Sequence, residues 1–349
     1  MTRQRATLLV TADDRTGAME AGAGCADAGF TVDVVPIGGA INRRSGCSCV
    51  VVDLRSRHAP PGEARRRIME TTTGAHRVHK IDSTLRGNWS AELAALVSAG
   101  RRVVLIPSHP RAGRICTGGV VLVNGVPVAE SETGNDPRLP VISSRPSETL
   151  PGTELAGPEA LGAWLKSSSS GVVIVDAATL DDIDQLVAVA LGADDVVLAG
   201  PASVVEAVAR VWAPLGASID LPAPLLPWPI VVVCASLHPV SRAQLAEVAE
   251  VGAEVVTSSA ERGPASEDIA VEVAERAHRI VALRQARSVI LVGGDTAEAF
   301  VGDSVVRIFG SIDAGISLGD AVVRGTKLRL AGKPGGFGTA NTLVDLVTR

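Results

Sequence analysis

Short runs of Val, Ile and Leu recur along the chain, each followed by a Gly- or Asp-bearing turn and then an amphipathic stretch. The runs fall at 7–10, 32–35, 49–53, 103–107, 172–176, 196–199, 230–234, 254–257, 288–292 and 304–308. Uninterrupted apolar runs of this length suit strands that are covered on both faces. The stretches 18–28, 89–98, 203–212, 241–251 and 269–286 carry helical spacing between them. Strands alternating with helices predict an α/β fold with parallel strands. At 349 residues the chain is long for a single core. The expectation is two domains, each with a mostly parallel sheet flanked by helices.

Five prolines between 213 and 229 (Pro214, Pro222, Pro224, Pro227 and Pro229) mark a linker, because proline neither continues a helix nor joins the middle of a sheet. This sets the expected domains at 1–225 and 226–349. A second irregular region, 107–151, is rich in Pro, Gly and polar residues, and long ordered loops often carry binding groups. Within it, Asn124-Gly125 between two Val-rich runs predicts a hairpin with a type I′ turn.

Composition narrows the function. Aromatic residues make up 2% of the chain and Tyr is absent, which leaves little for stacking on bases. A net charge of −5 argues against a sequence-independent grip on nucleic acid. Cys25, Cys47, Cys49, Cys116 and Cys234 show no zinc spacing and read as reduced thiols. The apolar run near the start is cut short by Asp13 and Asp14, unlike a secretory leader. No stretch reaches the ~18 apolar residues of a membrane span. The expected location is the cytoplasm, with no membrane and no nucleic-acid partner.

Four clusters carry chemistry. Asp13 and Asp14 directly follow the first strand, where open α/β sheets bind ligands. Two adjacent carboxylates there can hold hydroxyls, accept a proton or bind a cation, although one is expected to cap the next helix. The segment 80–88 concentrates Lys80, Asp82, Ser83, Thr84 and Arg86 in one turn. Its cations suit a carboxylate and its hydroxyls and acid suit a polyol, the plain alternative being a capped helix start with solvated charges. Gly293, Gly294, Asp295 and Thr296 form a strand-to-helix turn whose glycines admit a phosphate to the backbone, or merely turn the chain. Gly335, Gly336 and Gly338, after Lys333, allow close approach to a flat or anionic ligand. No Walker loop, nucleophile elbow, zincin helix or dinucleotide fingerprint is present.

These clusters, in this order, resemble the four-carbon acid sugar kinase family, which includes D-threonate, D-erythronate and 3-oxo-tetronate kinases. The resemblance spans nearly the whole chain: ADDRTGA at 12–18, DLRSR at 53–57, KIDSTLRGN at 80–88, PSHPRAGR at 107–114, VNGVPVAESETGNDPRLPV at 123–141, SLHPVSRAQ at 236–244, GGDTA at 293–297 and KPGGFG at 333–338. The KIDSTLRGN segment is the most specific. The resemblance implies ATP-dependent phosphorylation of the terminal hydroxyl of a four-carbon sugar acid, with ATP and Mg²⁺ as cofactors. It implies a sugar acid held by Asp13, Asp14, Arg57, Lys80, Asp82, Ser83, Thr84 and Arg86, with Asp13 as proton acceptor. It implies ATP held by Ser236, Gly293, Gly294, Asp295, Thr296, Gly335, Gly336 and Gly338. The metal ligands are not assigned, and self-association is left open.

The chain departs from the family pattern at His238, Asp295 and Pro334, and is shorter between 258 and 288. These departures fall in the half expected to bind ATP. They motivate an alternative, a non-catalytic sugar-acid sensor descended from such a kinase. A dehydrogenase lacks its fingerprint here, and a Schiff-base aldolase rests on Lys80 alone.

Overall fold

Strands that carry Val, Ile or Leu at successive positions have no face to give to water, so each must sit inside a layered sheet. The computed structural model builds them so. It describes residues 7–39, 47–71, 76–136, 138–155, 157–167, 170–213, 221–223, 225–236, 238–259 and 266–348. Part of the expected linker, at 214–220 and 224, lies outside these residues. Strands Leu8–Ala12, Cys49–Asp53, Val196–Gly200, Ile230–Cys234 and Ser288–Val292 are buried at every position.

The chain folds as two compact units, Met1–Asp13 with Ser48–Leu215, and Asp14–Cys47 with Gly216–Arg349. Residues 14–47 therefore pack with the C-terminal part, whereas the proline-rich stretch had suggested one continuous unit up to 225. The chain passes from the first unit to the second between Asp13 and Asp14.

The first unit is a parallel sheet in the order Cys49–Asp53, Leu8–Ala12, His76–Lys80, Val196–Gly200, Arg102–Leu105, Gly171–Val175, Thr153–Leu155. Helices Pro61–Thr71, Trp89–Ser98, Pro158–Lys166, Leu180–Ala190 and Ala202–Trp212 accompany it. The 107–151 region contains a small antiparallel sheet of Arg114–Thr117, Val120–Val123 and Val126–Pro127. Asn124 and Gly125 both take positive φ, 50° and 85°, as a type I′ turn requires.

The second unit is a mixed sheet. Glu254–Thr257, Ile230–Cys234, Ser288–Val292 and Thr326–Lys333 pair in parallel. Ile316–Val323, Val306–Asp313 and Val32–Pro36 continue the order antiparallel. Helix Arg15–Asp27 belongs here because its small residues let it lie close: a Cβ at Gly22 would sit 3.1 Å from Ile308 and 3.2 Å from Val34. The core of this unit is aliphatic, built from Val232, Ile290, Leu318, Leu343 and their neighbours. No disulfide joins any of the five cysteines. No helix among the described residues is long and apolar enough to cross a membrane.

Candidate active site

In the first unit the charged clusters meet beyond the carboxyl ends of three adjacent strands, Cys49–Asp53, Leu8–Ala12 and His76–Lys80, the position where open α/β sheets hold ligands. Arg57 grips Asp13 with two parallel bonds, Nε to Oδ2 at 2.8 Å and Nη2 to Oδ1 at 2.9 Å. The same Nη2 lies 3.5 Å from Asp82. Arg86 in turn grips Asp82 twice, at 3.0 and 2.9 Å, and reaches Asp136 at 3.1 Å. Charge thus alternates through Asp13, Arg57, Asp82, Arg86 and Asp136. Forked guanidinium–carboxylate pairs fix orientation as well as charge, so this chain is a rigid template.

Asp82 is buried, which would raise its carboxyl, but Arg86 and Arg57 outweigh that together with hydrogen bonds from Arg86 and Thr84, and hold it well below the usual carboxylate range. Thr84 contributes both its hydroxyl, at 2.5 Å, and its backbone N–H, at 3.1 Å. Asp82 and Thr84 therefore build the turn itself, while Ser83 is half-buried beside them. Asp136 is lowered too, where the backbone N–H groups of Arg138 and Leu139 and the charge of Arg86 overcome burial.

The local backbone is shaped for this geometry. Arg55 (φ 50°) and Leu85 (φ 62°) are left-handed non-glycine residues, one in each loop, a conformation that costs about 1–3 kcal/mol and persists where the surroundings impose it. Gly87 has φ 83°, and a Cβ there would come within 3.1 Å of Arg57 Cγ. Asn88 ties the two loops, donating to the carbonyls of Ser56 (2.6 Å) and Ala59 (2.7 Å). Beneath them runs a fully buried polar chain. Thr11 bonds His79 Nδ1 at 2.8 Å, His79 Nε2 bonds Glu92 at 3.0 Å, and Ser56 donates to Glu92. The backbone N–H of Ser56 donates to Asp13 O at 2.9 Å, so this chain supports the loop that carries Arg57.

Lys80 is buried at the end of its strand. Burial, then the charges of Lys80, Arg114 and Arg111, pushes His109 down to about 3, so its imidazole is neutral at ordinary pH. His109 Nδ1 lies 2.6 Å from Ser203 Oγ. Lys80 and His109 thus share one electrostatic neighbourhood.

Asp14 has a different setting from Asp13. It caps helix Arg15–Asp27, accepting from Gly17 N at 2.8 Å, and also takes the Thr16 hydroxyl at 2.8 Å. Its Oδ2 sits so close to Gly294 that no Cβ fits there. One of the two acids caps, as expected. The cap belongs to the second unit, beside the glycine turn.

In that unit, the segments Ser236, Gly293–Thr296 and Gly335–Gly338 converge at the carboxyl ends of three neighbouring parallel strands. The Thr296 hydroxyl accepts from Ala235 N at 3.0 Å, and Gly293 N donates to Lys333 O at 2.9 Å. Ser241 donates to Gly335 O at 2.7 Å, and Ser236 Oγ would lie 3.6 Å from a Cβ at Gly335. Gly336 faces His238 Nε2, and Gln244 holds the carbonyls of Phe337 (3.1 Å) and Thr339 (2.6 Å). Gly293, at the N-cap of helix Gly294–Val301, has φ 95° and no side chain of its own to cap with. Among the described residues no cluster of three or more His, Cys, Asp or Glu could hold a metal alone.

Two participants escaped the sequence reading. Asp136 lies in the GNDPRLP stretch but carries no local sign that it pairs with Arg86. Lys333 is fully buried, and only its position at the head of the glycine loop hinted at it.

The family model for a sugar-binding N-terminal domain matches residues 8–208. A D-threonate kinase of Cupriavidus necator is 38% identical over 133 residues, 36% of this chain and 31% of that protein, so the match covers only about a third of the relative's length. A D-threonate kinase of Bordetella bronchiseptica is 29% identical over 324 residues, covering 78% of this chain and 77% of its own. A solved structure from Salmonella typhimurium LT2, described as a tRNA synthase, superposes with a TM-score of 0.77 at 20% identity, covering 98% of this chain and 99% of the other; this establishes the fold alone. A solved Bordetella bronchiseptica protein, 25% identical with a TM-score of 0.54 and 97% coverage of both chains, is a domain-swapped dimer with bound citrate. With the sugar-binding model spanning more than half the chain and the matched relatives being tetronate kinases, the chain belongs to the four-carbon acid sugar kinase family.

Proposed function

We propose that this chain transfers the terminal phosphoryl group of ATP to the terminal hydroxyl of a four-carbon sugar acid of the threonate or erythronate kind. The observation that carries the reading is the parting of the two neighbouring acids. Asp13 is locked by Arg57 into the charged template of the sugar-binding unit, and Asp14 caps a helix beside the Gly293–Thr296 turn of the other. Consecutive Cα atoms are about 3.8 Å apart. The acid that meets the hydroxyl and the acid beside the phosphates are thus joined by a single peptide bond.

Phosphoryl transfer asks for positioning and charge neutralisation more than for covalent chemistry. In this reading Lys80 and the outer edges of Arg57 and Arg86 receive the substrate carboxylate, with the hydroxyls set against Ser83 and neutral His109. Asp13, its direction fixed by Arg57, accepts the proton of the attacking hydroxyl. The glycine turns and Ser236 take the phosphates. Mg²⁺ typically binds through one or two carboxylates plus substrate phosphates. A single Asp14 next to a phosphate-binding turn fits that pattern, and the metal supplies charge neutralisation there. The citrate in the Bordetella structure supports an organic-anion site, and its swapped dimer supports self-association. A reaction fed by ATP goes with a cytoplasmic location.

Coupled ADP release measured against a panel of tetronates tests the proposal. Turnover with at least one four-carbon acid is expected. Melting shifts with a tetronate, but no shift and no turnover with ATP and Mg²⁺, would replace the kinase by a sugar-acid sensor.

A further inference from the structure

Lys333 closes strand Thr326–Lys333 and is fully buried. Its ammonium donates to Pro334 O at 3.0 Å and Gly335 O at 3.2 Å. Both acceptors are neutral, and both belong to the loop that Lys333 itself introduces. Among the described residues no carboxylate lies within ion-pair distance of it. An ammonium has three donors and a strong demand for a counter-charge once it leaves water. Here two donors meet carbonyls and the charge is left without an anion.

The surroundings suit one. Lys333 O holds Gly293 N, which places the lysine's backbone against the start of helix Gly294–Val301. A helix start with exposed N–H groups favours negative charge. Ser241 holds Gly335 O, the same carbonyl that Lys333 engages, and Ser236 lies next to Gly335. A buried cation, a glycine loop, two serines and a helix start thus share one small region of a single unit.

We infer that Lys333 is the cation that receives the phosphates of the bound nucleotide, exchanging its two loop carbonyls for phosphate oxygens. This role rests on the reading of the second unit as the nucleotide site. Burial pushes the Lys333 ammonium down to about 8, which is the cost of holding the charge ready before the anion arrives. The exchange also links ligand to loop. Releasing Pro334 O and Gly335 O frees the Gly335–Gly338 segment to settle on the nucleotide.

The test compares adenosine, ADP, ATP and inorganic pyrophosphate on the full chain by calorimetry, for wild type and K333M. K333M is expected to lose ATP, ADP and pyrophosphate affinity by between about tenfold and about a hundredfold, the worth of a charge-assisted bond, with adenosine binding unchanged. Equal loss of adenosine and ATP would mean that the lysine only shapes the loop, and unchanged pyrophosphate affinity would mean that it meets no phosphate; either overturns the inference. A measurement on wild type guards against misfolding of the variant. The chain has only four lysines (Lys80, Lys166, Lys327 and Lys333), so carbon-13 lysine labelling resolves them by NMR. The signal with the depressed titration midpoint should move on adding pyrophosphate, and its immobility at saturation would refute the role. Wild type that binds pyrophosphate through Lys333, and ATP no better than pyrophosphate, would keep this site and sink the nucleotide reading.

Discussion

Replacing Lys333 with Met should change how the stability of the unliganded protein depends on pH. The side chain is fully buried, and burial lowers its ammonium from the ordinary 10.5 to about 8, with only a small opposing pull from Cys234. Between those values the unfolded chain binds a proton that the folded chain does not. Stability therefore rises with pH across this window. Below pH 8 the folded state bears the whole penalty, about 3 kcal/mol, and above about pH 10.5 it bears none. From pH 7 to about pH 9.5 the wild type should recover about 2 kcal/mol of it. Met has similar volume and no charge, so K333M has no such slope. Losing the bonds to Pro334 O and Gly335 O offsets the gain by an amount that does not vary with pH. Urea unfolding of both proteins at the two pH values isolates the slope, because all other titrating groups cancel in the difference. A wild-type-to-K333M gap that is constant between the two pH values would refute the argument that Lys333 is held as a buried charge.

Four further substitutions test the charged template and the Asp14 cap. Asp82→Asn leaves Arg86 and Arg57 facing a neutral amide and should cost about 3 kcal/mol, the usual penalty for removing one partner of a buried pair. Since the Asp82 carboxyl is held low in the folded state, its contribution is present at neutral pH and lost as pH falls below the ordinary carboxylate range, so acid unfolding of the variant should show a shallower limb. Gly87→Ala combines a positive φ with a 3.1 Å approach to Arg57, and should lower stability by at least about 1 kcal/mol while raising the KM for the sugar acid more than that for ATP. Asp13→Asn should abolish turnover and spare nucleotide binding, whereas Asp14→Ala should cost about 1 kcal/mol of helix cap and weaken Mg²⁺-dependent nucleotide binding; calorimetry with and without Mg²⁺ separates the two.

The buried parallel strands were legible because an apolar run with no alternation leaves a strand no alternative to the interior. Cys49–Asp53 and Ile230–Cys234 appear at the expected residues. The three long antiparallel strands Val306–Asp313, Ile316–Val323 and Thr326–Lys333 were largely missed. Their apolar positions are interrupted by Gly, Arg and Asp, and Val306–Asp313 alternates between buried and half-buried positions instead of forming a run. At the site, residue types pointed to Asp13 and Arg86, and the family resemblance to Arg57, but not to who pairs with whom. That Arg86 spends its fork on Asp82, and that Asp136 closes the series fifty residues later, depends on tertiary approach that no local pattern records. The different fates of Asp13 and Asp14 were equally hidden, since adjacent identical side chains diverge only through the loops that receive them.

The return of residues 14–47 to the C-terminal unit has a consequence for how the protein is made. During synthesis, helix Arg15–Asp27 and strand Val32–Pro36 leave the ribosome roughly 270 residues before their partners, the strands beginning at Val306. Strand Val32–Pro36 must wait without Val306–Asp313 while the chain between them is made, a period in which a second copy of the chain offers the same partner. Expression of either half as a single contiguous fragment should yield aggregates, and any split into two polypeptides that restores function will have to carry 14–47 along with the C-terminal piece.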